Sequence, residues 1–124
     1  MQIGAAAAKD NPQAEREPAT VEEARGRLLV RINGLRTASG ARTVARDFEL
    51  DQIAQTYADR LAKENFFAHV APDGSDLKAR MGAGGYRYTS AGENLGLANG
   101  PLAAHFSIEH SPGHRKNLLD PVYT

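Results

Sequence analysis

The sequence contains no cysteine and no tryptophan among its 124 residues. The absence of cysteine excludes a disulfide framework, a zinc–thiolate site and a cysteine nucleophile. No apolar run approaches the roughly 20 residues that a bilayer-spanning helix requires, so we expect no transmembrane segment.

The sequence also has no excess of either charge, because 15 Lys and Arg residues balance 15 Asp and Glu residues. A nucleic-acid-binding domain needs a basic excess or stripe to neutralise phosphates, so nucleic acid is not the expected partner. The first residues lack the basic start of a signal peptide, and we therefore identify no signal peptide in this chain.

Large apolar side chains are few, since alanine contributes 21 of the residues in the 41% hydrophobic fraction. This length allows one domain with a thin core and close helix contacts. We expect residues 1–19, which include two prolines and no sustained apolar period, to be a disordered leader. Residues 20–124 then form the domain.

Capping and periodicity signals predict helices along this domain. The predicted starts are a capping box at Thr20 to Glu23, Asp47 before a helix ending near Asn65, Ser75 or Asp76 before a short helix, Pro101, and Ser111-Pro112. Residues 86–89 alternate like a strand or an extended loop.

Three polar residues lie in segments of otherwise structural composition: His69, Glu93 and His114. Two imidazoles and one carboxylate are typical of a catalytic zinc site that keeps a fourth position for water. Their separations of 24 and 21 residues contain no local ligand pattern. The alternative is that each histidine is hydrogen-bonded and that Glu93 satisfies backbone donors in a glycine-rich turn.

Several motifs resemble the bacterial branch of the CAP superfamily, also called SCP domains, whose relatives include cysteine-rich secretory, antigen-five and pathogenesis-related proteins. Residues 65–74 resemble the family segment "NxFFSHxxPDG". Further matches follow in the family's order: Asn33 with Arg36, Ala79-Arg80-Met81, Gly92-Glu93-Asn94-Leu95 and the run from Ser111 to Leu119. The resemblance covers residues 25 to 124.

This resemblance implies an α+β fold, the CAP-type alpha-beta-alpha sandwich with helices on both sides of a small, mostly antiparallel sheet. It implies that His69, Glu93 and His114, the candidate catalytic residues, meet in one cleft with Ser111. Some family members bind zinc or another divalent cation there, and His69 and His114 are the metal ligands that the resemblance implies.

The chain stops at Tyr123-Thr124, where family domains continue with a glycine-rich strand pair, so we expect a C-terminally truncated domain that lacks those strands. The resemblance also implies an extracellular or cell-envelope location. Two functions stay open: a non-catalytic module that binds an unidentified ligand or protein partner, and a divalent-metal-assisted hydrolase using His69, Glu93 and His114.

Overall fold

A computed structural model describes residues 16–124, which form five helices. They are α1 (Val21–Ala38), α2 (Phe48–Glu64), α3 (Leu77–Ala83), α4 (Pro101–Glu109) and α5 (Pro112–Leu119). None of these helices has the length and apolar character needed to cross a bilayer. Residues 1–15 of the predicted leader lie outside the described residues.

The predicted helix starts are confirmed, and the N-cap side chain makes the capping contact at three of them. Thr20 Oγ1 accepts a hydrogen bond from the Glu23 backbone N–H at 3.1 Å, as a capping box requires. Asp47 Oδ1 accepts from the Glu49 N–H at 2.9 Å, and Asp76 caps α3. These three helix starts therefore follow from hydrogen bonds between residues close together in the sequence.

The predicted alpha-beta-alpha sandwich with a small antiparallel sheet is wrong for residues 16–124, which contain no strand. A strand requires an extended partner with free backbone groups, and backbone groups of two residues in the connecting segments bond elsewhere. Both backbone groups of Val44 bond the amide of Asn33, at 2.8 and 3.0 Å. The Tyr86 N–H turns back to the Met81 carbonyl at 3.0 Å. Residues 86–89 are consequently an irregular loop.

The helices contact one another in two sets. Helices α1, α4 and α5 contact one another, and α2 contacts α3 directly, where Arg80 lies over the Tyr57 ring. A hydrogen bond from Arg25 on α1 to Gln55 on α2, at 3.3 Å, links the two sets. The buried apolar side chains of the described residues are few, as the alanine-rich composition predicts. They are Ala24, Tyr57, Ala71, Met81 and Leu102.

A buried cation, Arg36, joins α1 to the end of the chain. Its side chain is 1% exposed, and Nη1 donates to the carbonyls of Leu118 at 2.7 Å and Asp120 at 3.0 Å. Its Nε donates to the Arg42 carbonyl and its Nη2 to the Tyr123 carbonyl. The carbonyls at the end of α5 carry the negative end of the helix dipole, which favours a guanidinium there.

Residues just before α1 also contact the helical body. Gly100, the N-cap of α4, has no side chain to cap the helix. The carboxylate of Glu17 accepts from the backbone N–H groups of Leu102 at 2.8 Å and Ala103 at 3.1 Å. These are two of the donors that a helix start leaves unpaired, so a residue 85 positions away supplies the cap.

Candidate functional site

The candidate site begins with the loop between α2 and α3, which carries His69. The hydroxyl of Tyr57, on α2, donates to the Ala68 carbonyl at 2.5 Å. Arg80, on α3, donates from Nη2 to the His69 carbonyl at 2.7 Å. Both helices therefore hold the backbone of this loop, while the His69 side chain stays 57% exposed.

The carboxylate of Glu93 lies between His69 and Arg80. Nδ1 of His69 lies 2.9 Å from Glu93 Oε1, and because a carboxylate only accepts, Nδ1 is the protonated nitrogen. Arg80 Nη1 donates to Glu93 Oε2, and Nη2 lies 3.1 Å from Oε1. Arg80 thus contacts both carboxylate oxygens, the paired geometry in which guanidinium–carboxylate contacts are strongest.

Arg80 is itself held in place by an aromatic ring. Its guanidinium carbon lies 3.4 Å from the centroid of the Tyr57 ring, within the range of a cation–π contact. The Arg80 side chain is only 11% exposed, and its Nε is buried without a hydrogen-bond partner. The side chains of Tyr57, Arg80 and Glu93 therefore form a mostly buried cluster, and Glu93 of this cluster contacts the exposed His69.

The protonation of Glu93 reflects this environment. Burial raises the pKa of the Glu93 carboxyl, but hydrogen bonds and charge from Arg80 and His69 outweigh that effect, so its pKa lies below the ordinary value. Glu93 is consequently an anion at neutral pH that compensates the buried charge of Arg80.

The other two predicted cleft residues form a separate pair at the start of α5. Ser111 is the N-cap of this helix, but its side chain does not cap a backbone N–H. Its Oγ lies 2.8 Å from Nδ1 of His114 instead. The serine hydroxyl and the imidazole thus share a hydrogen bond within one turn.

Asn94 connects the two pairs, because it follows Glu93 directly in the chain. Its Nδ2 donates to the His114 carbonyl at 3.0 Å, and its Oδ1 accepts from Asn117 Nδ2 at 3.1 Å. The loop is therefore bonded to α3 through Glu93 and to α5 through Asn94.

The structure thus joins His69 directly to Glu93 and His114 directly to Ser111, each imidazole having a different partner. Three contributors were not predicted as site residues: Arg80, Tyr57 and Asn94. The signal for Arg80 and Asn94 was present, since both lie in motifs that match the family, whereas Tyr57 was indistinguishable from a core residue.

The donors do not fit a divalent cation in this arrangement. Within residues 16–124, no group of three or more His, Cys, Asp or Glu side chains is placed to hold a metal ion. Glu93 already bonds a guanidinium through both oxygens, and a second cation there would meet its positive charge. The assignment of His69 and His114 as metal ligands stays a prediction.

Comparison with known proteins identifies the family. The sequence model of the cysteine-rich secretory protein family, CAP, matches residues 29–124, so the chain belongs to this family. This confirms the resemblance seen in the motifs.

Among curated proteins, the chain is similar to two from Bacillus subtilis strain 168. It is 30% identical over 99 residues to the uncharacterized membrane protein YlbC, covering 78% of this chain and 28% of that protein. It is 27% identical over 110 residues to the uncharacterized protein YkwD, covering 86% of this chain and 42% of that protein. The chain thus spans less than half the length of either relative.

A solved structure has the same overall arrangement. It is the crystal structure of an extracellular protein containing a SCP domain from Bacillus anthracis, with a TM-score of 0.73 and 24% sequence identity. The match covers 86% of this chain and 38% of that one. At this identity the likeness concerns the fold.

Proposed function

We propose that this domain is a non-catalytic binding module of an extracellular or envelope-associated protein, and that residues 66–70 form its contact surface for a ligand or protein partner. Family membership and the extracellular protein with a similar fold support the location.

The observation that carries this proposal is an exposed apolar loop on a fixed backbone. Phe67 is 49% exposed and Val70 is 52% exposed, on either side of the exposed His69. Exposed apolar side chains that lie close together are typical of interaction sites. Because Tyr57 and Arg80 hold the loop backbone, little conformational freedom is lost on binding, which favours affinity.

The hydrolase alternative finds less support in the same geometry. A metal-assisted mechanism needs Glu93 as a ligand or general base. Its carboxylate instead compensates Arg80 and orients His69, and using it in catalysis would leave a mostly buried guanidinium unpaired. The network is therefore better suited to hold loops than to move protons.

Binding can be tested with bacterial cell-envelope fragments and fluorescently labelled protein in an equilibrium sedimentation assay. We expect saturable binding that weakens at least about tenfold in the Phe67→Ser/Val70→Ser double variant, since each change removes an exposed apolar contact. The matched control, Val21→Ser/Val30→Ser, changes two exposed apolar residues on α1 and should bind like the wild type.

Equal binding by the loop variant and the wild type would contradict the proposal. Turnover is measured in parallel with p-nitrophenyl esters and phosphates in the presence of zinc. Hydrolysis that disappears in Glu93→Gln would favour the hydrolase instead.

A further inference from the structure

Arg80 occupies the position at Glu93 where a metal ion would have to bind. We propose that the Arg80 guanidinium excludes divalent cations from Glu93, so that replacing this one residue creates a metal site between Glu93 and Nδ1 of His69. The proposal does not rest on the binding role of residues 66–70.

The carboxylate oxygens that a cation at Glu93 would need already accept hydrogen bonds. Both oxygens of Glu93 bond Arg80, and Oε1 also accepts from His69 Nδ1. An imidazole nitrogen must be unprotonated to bind a metal, and the proton on Nδ1 of His69 is directed at the carboxylate, so this nitrogen cannot join Glu93 in holding a cation, whereas Nε2 keeps its lone pair. A cation at Glu93 would therefore have to break both sets of contacts.

Arg80 is also not free to move aside. Its guanidinium stacks on Tyr57 at 3.4 Å and donates to the His69 carbonyl at 2.7 Å. Displacing it from Glu93 would leave a charge without its partner at a position that is 11% exposed, which is strongly unfavourable. Flexible surface arginines lack these restraints.

Removal of Arg80 would leave a suitable pair of ligands in place. Glu93 and His69 are in direct contact, 2.9 Å apart, and an adjacent carboxylate and imidazole are ordinary zinc ligands. Loss of a group that supports a metal ligand lowers affinity by about 10- to 100-fold, and we expect a gain of similar size when a group that competes with the metal is removed.

The test is calorimetric titration of Zn²⁺ alone, at pH 7.5, into the full chain and its variants. Arg80→Met keeps an apolar chain over Tyr57 and should bind zinc about 10- to 100-fold more tightly than the wild type. Adding His69→Ala or Glu93→Gln to Arg80→Met should abolish the gain. The control Arg25→Met removes the same charge from α1, where the arginine contacts Gln55 and Glu22, and should leave zinc affinity unchanged.

One comparison decides the question even if Arg80→Met does not fold. In the His69→Ala background, which removes any zinc held by that imidazole, adding Glu93→Gln should leave zinc affinity unchanged, because Glu93 is not available as a ligand. Weaker zinc binding by His69→Ala/Glu93→Gln than by His69→Ala would overturn the proposal, as would a folded Arg80→Met variant with no gain.

Discussion

Replacing Glu93 with Gln changes almost no volume and removes one charge from the centre of the site. The wild-type carboxylate accepts from Arg80 at both oxygens and from His69 at one. The amide retains a single oxygen, and its NH₂ group faces a donor of the guanidinium. The substitution therefore tests whether this network holds the surrounding loops.

The expected loss follows from these contacts. A hydrogen bond to a charged group contributes about 1.5–3 kcal/mol and a neutral one about 0.5–1.5 kcal/mol. One bond to Arg80 is weakened and another is replaced by a repulsive contact, while the His69 bond counts less because that side chain is 57% exposed. We expect unfolding to require about 2 kcal/mol less than in the wild type, or a Tm about 9 °C lower for a chain of this size.

Thermal unfolding followed by circular dichroism at pH 7, with urea unfolding as a second measurement, gives this difference. Glu49→Gln is the matched control, because it removes an exposed carboxylate from the first turn of α2 and should cost less than about 0.5 kcal/mol. A Glu93→Gln protein as stable as the control would refute the idea that the network orders the site.

Three further predictions concern stability. Arg36→Met should lower the free energy of unfolding, measured in urea, by about 3 kcal/mol, since four carbonyls lose a buried donor. The exposed Arg42→Met should have little effect, and an equal loss in that variant would contradict this account. Glu17→Ala should lower the free energy of unfolding by about 1 kcal/mol through the lost helix cap; an unchanged Tm would show that the cap contributes nothing. Burial lowers the pKa of His105 in the folded protein. As the pH drops below about 6.5, this imidazole is therefore protonated in the unfolded chain before it is protonated in the folded protein, and the free energy of unfolding should fall. His105→Gln should flatten that decline in a series of melts from pH 8 to pH 5, and His110→Gln should not.

The helix boundaries were largely predictable because their causes are local. Thr20, Asp47 and Asp76 each cap a helix within three residues of their own position, and Asn65 ends α2 in the left-handed conformation that its side chain tolerates. For residues 86–89 the alternating pattern left a strand and an extended loop open, and the structure has the loop. An alternating pattern indicates a preference for extended backbone, but a strand forms only where a second extended segment can pair with it.

The site was predicted in part for the same reason. The motifs identified His69 and Glu93, which lie in contact, but not the guanidinium of Arg80 that compensates Glu93, and the helical spacing of Tyr57 indicated a core position rather than a platform for Arg80. The partners of a charge are distributed over the chain, and only the fold brings them within bonding distance.

The sequence by itself therefore determined the helical segments, the thin alanine-rich core, the absence of thiol chemistry and the family, all of which depend on composition or on residues a few positions apart. Tertiary structure alone decided that Glu93 bonds Arg80, that Asn94 bonds the His114 carbonyl, and that Glu17 caps a helix far along the chain. These contacts form because burial removes water as a competing partner, so each buried polar group bonds whichever partner the packed helices bring to it.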